Sequence, residues 1–191
     1  MSDRLVLAST SPQRPAILEQ LRIPFEVVAP RYVEDDPPDA SPEETVLRHA
    51  EGKARSVHRD PHLTLGVDTT VALDGRVFGK PASRAEAAEM LRALSAQTHT
   101  VVSGLCLLGP DFAVRASEAT EVRFRRITSA ALETYLESGE WEGRAGAYAI
   151  QGLGGRLVER IDGDYLNVVG LPGALLVSVL EQHASNLLEI A

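Results

Sequence analysis

At 191 residues with 44% apolar composition, the chain can bury a sizeable core, and one domain, or one domain with two lobes, is expected. Its 27 acidic residues outnumber 19 basic ones, and the net charge of −8 argues against general nucleic-acid binding, which needs a basic face. No signal peptide is expected, and the longest uncharged stretch, residues 165–180, is too short and too rich in Gly and Pro for a membrane span.

In chain order, the apolar run Leu5 to Ala8 reads as a strand and Ala16 to Leu21 as an amphipathic helix. Between them sit Ser9, Thr10, Ser11, Pro12, Gln13 and Arg14. Two readings stand for this tip. Ser11 caps the helix with Pro12 at its first position, or the free N–H groups of the helix start hold an anion that Arg14 also grips. Residues 24–30 form a second strand, followed by an acidic, proline-rich loop over 33–40. Ser41, Pro42 and Glu44 spell a capping box for a helix that carries Val46, Leu47 and Ala50 inward and runs to about His58.

Residues 63–79 read as a strand pair turning at Asp74-Gly75. Ser83 with Glu86 repeats the capping box and opens a helix over 85–94. Two strands follow, 99–109 and 113–127, joined at Gly109-Pro110-Asp111, and the helix after them ends on Gly139. The lone Cys106 lies in the first of these strands as a core residue without a disulfide partner, which fits a cytoplasmic protein. The remainder is turn-rich, with strands near 147–151, 156–161 and 165–169 before a last helix. Helices alternate with strands but hairpins also occur, so the expected class is α/β with a mixed sheet flanked by helices.

Some constellations carry little. His58 and His62 have the spacing of a metal pair, but Asp60-Pro61 breaks the helix and no third ligand stands near. "GLGGR" at 152–156 lacks both dinucleotide and P-loop spacing and reads as a turn. Trp141 reads as a surface or rim residue. Asp68 is different, because it interrupts an apolar strand, where an unpaired carboxylate is costly. Lys80 lies just past the hairpin that this strand begins and could meet it; the plainer alternative is a strand-end salt bridge. Lys53 and Lys80 are the only lysines beside 17 arginines, so each stands where a compact ammonium is wanted.

"LASTSPQR" (7–14), "EGKA" (51–54), "GVDTTV" (66–71), "GKP" (79–81), "AAEML" (87–91), "LSAQTHTV" (94–101), "ESGEWEGRAGAYAIQG" (137–152) and "GDYLNVVGLP" (163–172) occur in an order that resembles the Maf family of nucleoside triphosphate pyrophosphatases. The resemblance spans nearly the whole chain as one domain, 1–191. It implies an α/β fold with an elongated, mixed sheet and two lobes around a cleft, similar to inosine triphosphate pyrophosphatases. The implied activity is hydrolysis of a nucleoside triphosphate to its monophosphate and pyrophosphate with a divalent metal, Mg or Mn. By the same resemblance Asp68 is the proton acceptor, Lys53 and Lys80 act with it, Ser9, Ser11 and Arg14 line the phosphate site, and Asp68 with Glu34 holds the metal. Val33 stands where an aspartate is usual.

The hydroxyl-rich tip with Arg14 is then expected to be half of a triphosphate clamp, completed by the two lysines. A chain of net charge −8 must concentrate positive potential locally to hold such an anion. Three positions, Gln13, Thr69 and Gln151, divide the family by substrate. Thr69 and Gln151 match the dTTP/UTP type, and a Gln151 amide can pair with the N3–H and O4 edge of uracil or thymine. Gln13 departs from the arginine usual there. The same activity could clear modified nucleotides; the alternatives are a 7-methyl-GTP or broad-specificity pyrophosphatase of the same family, and a non-catalytic nucleotide-binding regulator of septum formation. The expected partner is the nucleotide substrate, with no nucleic acid or membrane, and a homodimer is left open.

Overall fold

The computed structural model describes residues 4–35 and 40–189. Residues 36–39 of the acidic loop lie outside the described residues. Seven strands, β1 (Leu5–Ala8), β2 (Phe25–Val28), β3 (Leu63–Leu73), β4 (Arg76–Phe78), β5 (Thr98–Leu108), β6 (Ala113–Phe124) and β7 (Val158–Asp162), form one sheet. Its order is β2-β1-β3-β5-β6-β7, with β4 paired to β3. Helices α1 (Gln13–Gln20) and α2 (Pro42–Val57) are the crossovers that let β1 lie parallel to both β2 and β3, with Leu7 opposite Val27 and Leu65. Antiparallel pairs close the other connections: β3 with β4 through Asp74 and Gly75, both at positive φ, and β6 with β7. The expected mixed α/β sheet is found.

The chain divides into two compact units. One comprises the chain up to Thr69, Ser103–Glu118 and the chain from Gly170 onward; the other comprises Thr70–Val102 and Ala119–Val169. In the first, β1 is buried along its whole length, and Ile17 and Leu18 of α1 and Val46, Ala50 and Ala54 of α2 are buried as well. Helix α2 starts on the full capping box: Ser41 Oγ accepts from Glu44 N at 3.2 Å, and Glu44 Oε2 accepts from Ser41 N at 2.9 Å. Its backbone comes close to the sheet because two strand positions lack side chains. A Cβ on Gly66 of β3 would collide with the Ala50 carbonyl, and one on Gly104 of β5 would lie 2.6 Å from the Val46 carbonyl carbon. This close approach lowers the polar face of α2 onto β3.

The second unit packs α3 (Arg84–Leu94) and α4 (Ser129–Glu137) around Val71, Phe78, Val101, Val122, Phe124 and Tyr148. Ser83 caps α3 by accepting from Glu86 N, but the Glu86 carboxylate reaches Ala82 N at 2.7 Å, so the second capping box is only half formed. Trp141 is half-buried at the rim of this core, packs against it and donates to the Leu136 carbonyl at 3.1 Å.

Three other expectations are corrected. Residues 147–151 are not a strand, because Gly146 and Ala147 take positive φ and form a 3₁₀ turn. A second 3₁₀ turn, Leu153–Leu157, delays β7 to Val158. Tyr165–Val169 is a short helix, α5, followed by α6 (Gly173–His183). There the Asp164 carboxylate accepts from Leu166 N at 2.7 Å, and the buried Asn167 amide donates to Val101 O and Thr120 Oγ1. Those polar bonds outweigh the strand preference of the apolar run. Among the described residues no helix is long and apolar enough to cross a membrane.

Candidate active site

A charge cluster gathers in the first unit where α2 meets β3. Lys53 Nζ lies 2.5 Å from Asp68 Oδ1 and 2.6 Å from Glu34 Oε1, so one ammonium bridges two carboxylates. His49, one turn before Lys53 on the same helix face, points Nδ1 at Asp68 Oδ2 from 3.5 Å. Asp68 and Lys53 are mostly enclosed, whereas Glu34 sits on the exposed loop after β2. Burial, the largest influence on the Asp68 carboxyl, pushes its pKa up; His49, Lys53 and Arg14 together outweigh it and hold the pKa below the usual carboxylate range. Asp68 is therefore ionised at neutral pH, ready to accept hydrogen bonds or help hold a cation.

The β1–α1 tip differs from the capping reading. Helix α1 begins at Gln13, its N-cap position is Pro12, and no side chain caps it. Ser11 Oγ instead donates to Gln13 Oε1 at 2.9 Å. Arg14 is buried and commits Nε to the Gly170 carbonyl at 3.0 Å and Nη1 to Ser9 Oγ at 3.2 Å. Ser9 Oγ also accepts from Ser11 N at 3.1 Å. Two of the five guanidinium donors thus serve the protein itself. Thr69 is likewise engaged: its Oγ1 pairs with Ser103 Oγ at 2.8 Å and donates to the same Gly170 carbonyl at 3.3 Å.

Of the residues singled out in the sequence, Ser9, Ser11, Gln13, Arg14, Glu34, Lys53, Asp68 and Thr69 belong to the first unit, while Lys80 and Gln151 are exposed in the second. Lys80 directly follows Gly79, whose carbonyl accepts from Gly146 N at 3.1 Å. His49, Ser103 and the Gly170 carbonyl were not anticipated. His49 follows buried Val46 by three residues, so helical spacing could have found it. Ser103 was hidden inside the apolar run of β5. His58, which suggested a metal pair with His62, spends Nδ1 on Thr64 Oγ1 at 2.9 Å and faces Asp60 with Nε2 at 3.3 Å.

The family model of the Maf-like proteins matches residues 4–183. The chain belongs to the Maf-like family. The match runs through segments of both units. A protein of Gloeobacter violaceus named dTTP/UTP pyrophosphatase is 44% identical over 184 residues, covering 95% of this chain and 97% of its own. One of Halalkalibacterium halodurans with the same name is 45% identical over 182 residues, covering 94% and 95%. A solved structure of a HAM1 protein from Coxiella burnetii aligns over 95% of this chain and 100% of its own with a TM-score of 0.52. At 16% identity that likeness shows the fold of this Maf-like chain alone.

In this Maf-like protein, the described residues hold one set of three metal-capable groups, Glu34, His49 and Asp68, whose ligand atoms lie within 4.8 Å of one another. Two carboxylate oxygens and an imidazole nitrogen make a donor set that suits a divalent cation. Lys53 already supplies a positive charge between the two carboxylates.

Proposed function

We propose that this chain hydrolyses nucleoside triphosphates, dTTP and UTP foremost, to the monophosphate and pyrophosphate, in the cytoplasm. One observation carries the reading: relatives named dTTP/UTP pyrophosphatase match almost the full length at 44–45% identity. The charge cluster supports it, because it joins an ionised carboxylate to an ammonium within hydrogen-bond distance.

In this reading Asp68 accepts a hydrogen bond from the attacking water and directs it in line at the α-phosphorus. Its depressed pKa suits orienting water more than storing a proton. As Lys53 shares its charge with an incoming phosphate, the pull on Asp68 weakens and the carboxylate becomes more basic. Lys53 and Lys80 neutralise charge that develops on the departing pyrophosphate. Ser9 and Ser11 offer hydroxyls to phosphate oxygens, and Arg14 keeps Ser9 in place while adding positive charge behind it. Asp68 and Glu34, with His49, would hold a Mg or Mn ion. When bound, such an ion lowers the charge on the phosphates and polarises the bond to be broken.

Gln151 reads the uracil or thymine edge, with its carbonyl accepting from N3–H and its amide donating to O4. Thr69 acts less directly, through the hydroxyl pair with Ser103 and the shared Gly170 carbonyl. Gln13 gives the base a neutral neighbour already occupied with Ser11. The test is steady-state turnover, read as pyrophosphate, over dTTP, UTP, CTP and 7-methyl-GTP. The reading expects the highest kcat/KM for dTTP and UTP. Preference for 7-methyl-GTP would move the chain to the other substrate type. No pyrophosphate from any of them, with Mg or Mn present, would leave a non-catalytic binder.

A further inference from the structure

Helix α2 carries a glycine in its interior, Gly52, where alanine would favour the helix more. Its immediate surroundings supply a reason. A Cβ at position 52 would overlap the ring of Tyr32, which belongs to the irregular segment between β2 and α2. The same ring lies against His49, with centroids 5.7 Å apart and planes tilted by 59°. Just before it, Arg31 N donates to Ser56 Oγ at 3.1 Å, and Ser56 Oγ donates to the Lys53 carbonyl at 2.8 Å. Just after it, Glu34 reaches Lys53 Nζ at 2.6 Å. Positions 49, 52, 53 and 56 form one stripe of α2, turned from the sheet-facing line of Val46, Ala50 and Ala54.

We infer that Tyr32 is a positioning residue: its ring, seated in the notch left by Gly52 and against His49, sets the loop so that Glu34 meets Lys53 beside Asp68. Glu34 needs such help. It is exposed, its segment has no ladder or helix of its own, and an exposed ion pair holds little by itself. A half-buried ring packed on α2, which covers apolar area at low conformational cost, supplies what the ion pair cannot. His49 then serves twice, as a wall for the ring and as a neighbour of the Asp68 carboxylate. This deepens the pyrophosphatase reading and takes its kinetic readout from it.

The experiment compares wild type, Tyr32→Phe, Tyr32→Ala, Gly52→Ala and the Gly52→Ala/Tyr32→Ala double variant. Tyr32→Phe keeps the ring and should keep wild-type kcat. Tyr32→Ala and Gly52→Ala should each lower kcat by about 10²-fold, the scale of a misplaced catalytic group, while KM moves less than about threefold. The double variant should be no worse than Tyr32→Ala, since the two changes break one contact. In Gly52→Ala the helix gain from alanine opposes the lost ring contact, so Tm should change little, and a melting curve showing the variant folded at the assay temperature separates its loss of kcat from unfolding. Independently of turnover, amide exchange over residues 29–35 should quicken in Gly52→Ala while that of α2 stays put.

Wild-type kcat in Gly52→Ala, unchanged exchange over 29–35, or losses that add in the double variant would overturn the inference. If wild type itself turns over no triphosphate, the functional reading fails instead, and the exchange experiment still decides the place of Tyr32.

Discussion

Each unit buries one histidine almost completely, His49 at 3% exposure in the first and His99 at 1% in the second. Their surroundings make them opposites. His49 faces the Asp68 carboxylate on a helix whose next turn carries Lys53, so its neighbours are a carboxylate and an ammonium. His99 lies edge-on to Phe124, 4.8 Å between centroids, and shares a 2.9 Å hydrogen bond between Nε2 and the Tyr148 hydroxyl. Burial lowers the His99 pKa to about 4 and raises that of Tyr148. One unit spends its buried polar groups on charge that can meet a ligand. The other keeps its polar groups neutral and uses them to order an aromatic core. Burial alone does not mark a functional histidine; the neighbouring groups do.

The contrast is broken most severely at Asp68. Asp68→Asn should cost about 10²-fold or more in kcat, because an amide can neither take a proton nor balance the Lys53 charge. The variant should still fold, since Lys53 retains Glu34 as a partner. Unchanged kcat would leave Asp68 with a purely structural salt bridge, and thermal unfolding would show whether the loss is one of folding.

His99 should make the stability of the second unit respond to pH. In the unfolded chain His99 takes up a proton near pH 6.5, whereas in the folded protein it does so only at about 4. Between those values the unfolded state binds more protons, so the His99 contribution is fully present above pH 6.5 and lost as pH falls towards 4. The full span amounts to roughly 3 kcal/mol. His99→Gln keeps a partner for Tyr148 but cannot titrate, so urea midpoints of wild type and variant should converge as the pH drops. Parallel profiles would remove His99 from the acid response.

Smaller effects sharpen the first region. Gly66→Ala would drive a methyl group into the Ala50 carbonyl, lifting α2 from β3 at a cost of about 1–3 kcal/mol. Because Lys53 and His49 ride on α2, kcat should fall with stability, and a variant with wild-type Tm would contradict the close approach. Gln13→Arg brings a charged, multi-donor group where glutamine now accepts from Ser11. It should raise kcat/KM for dTTP or UTP by roughly 3- to 30-fold, from about 1–2 kcal/mol of added binding. Kinetic ratios unchanged across the four triphosphates would show that residue 13 has no part in selectivity.

Much of this was readable before any coordinates. The Ser41 capping box, the Asp74-Gly75 hairpin and the buried carboxylate in an apolar strand rest on local chemistry, which a sequence carries directly. Asp68 and Lys53 were each legible as odd residues, but their pairing was not: the sequence offered Lys80 as the lysine that Asp68 could meet, and the structure pairs Asp68 with Lys53. The notch at Gly66 that lets them meet was not legible either, because close backbone approach depends on what lies opposite. The place of His49 at the site was not legible, because the carboxylate that it faces comes from another element, β3. Tyr165 to Val169 resembled a strand, and only the partners of Asp164 and Asn167, drawn from distant segments, made it a helix. The bonds of Arg14 to Gly170 and Ser9 were not legible, because Gly170 lies 156 residues further along the chain.

The central claim is that water, directed by Asp68, attacks the α-phosphorus. Hydrolysis of UTP in ¹⁸O-enriched water, followed by phosphorus NMR, reads this directly. The account predicts monophosphate and pyrophosphate as the first products, with the heavy oxygen in the monophosphate alone. Heavy oxygen in pyrophosphate, or early release of diphosphate and orthophosphate, would place the attack elsewhere and contradict it.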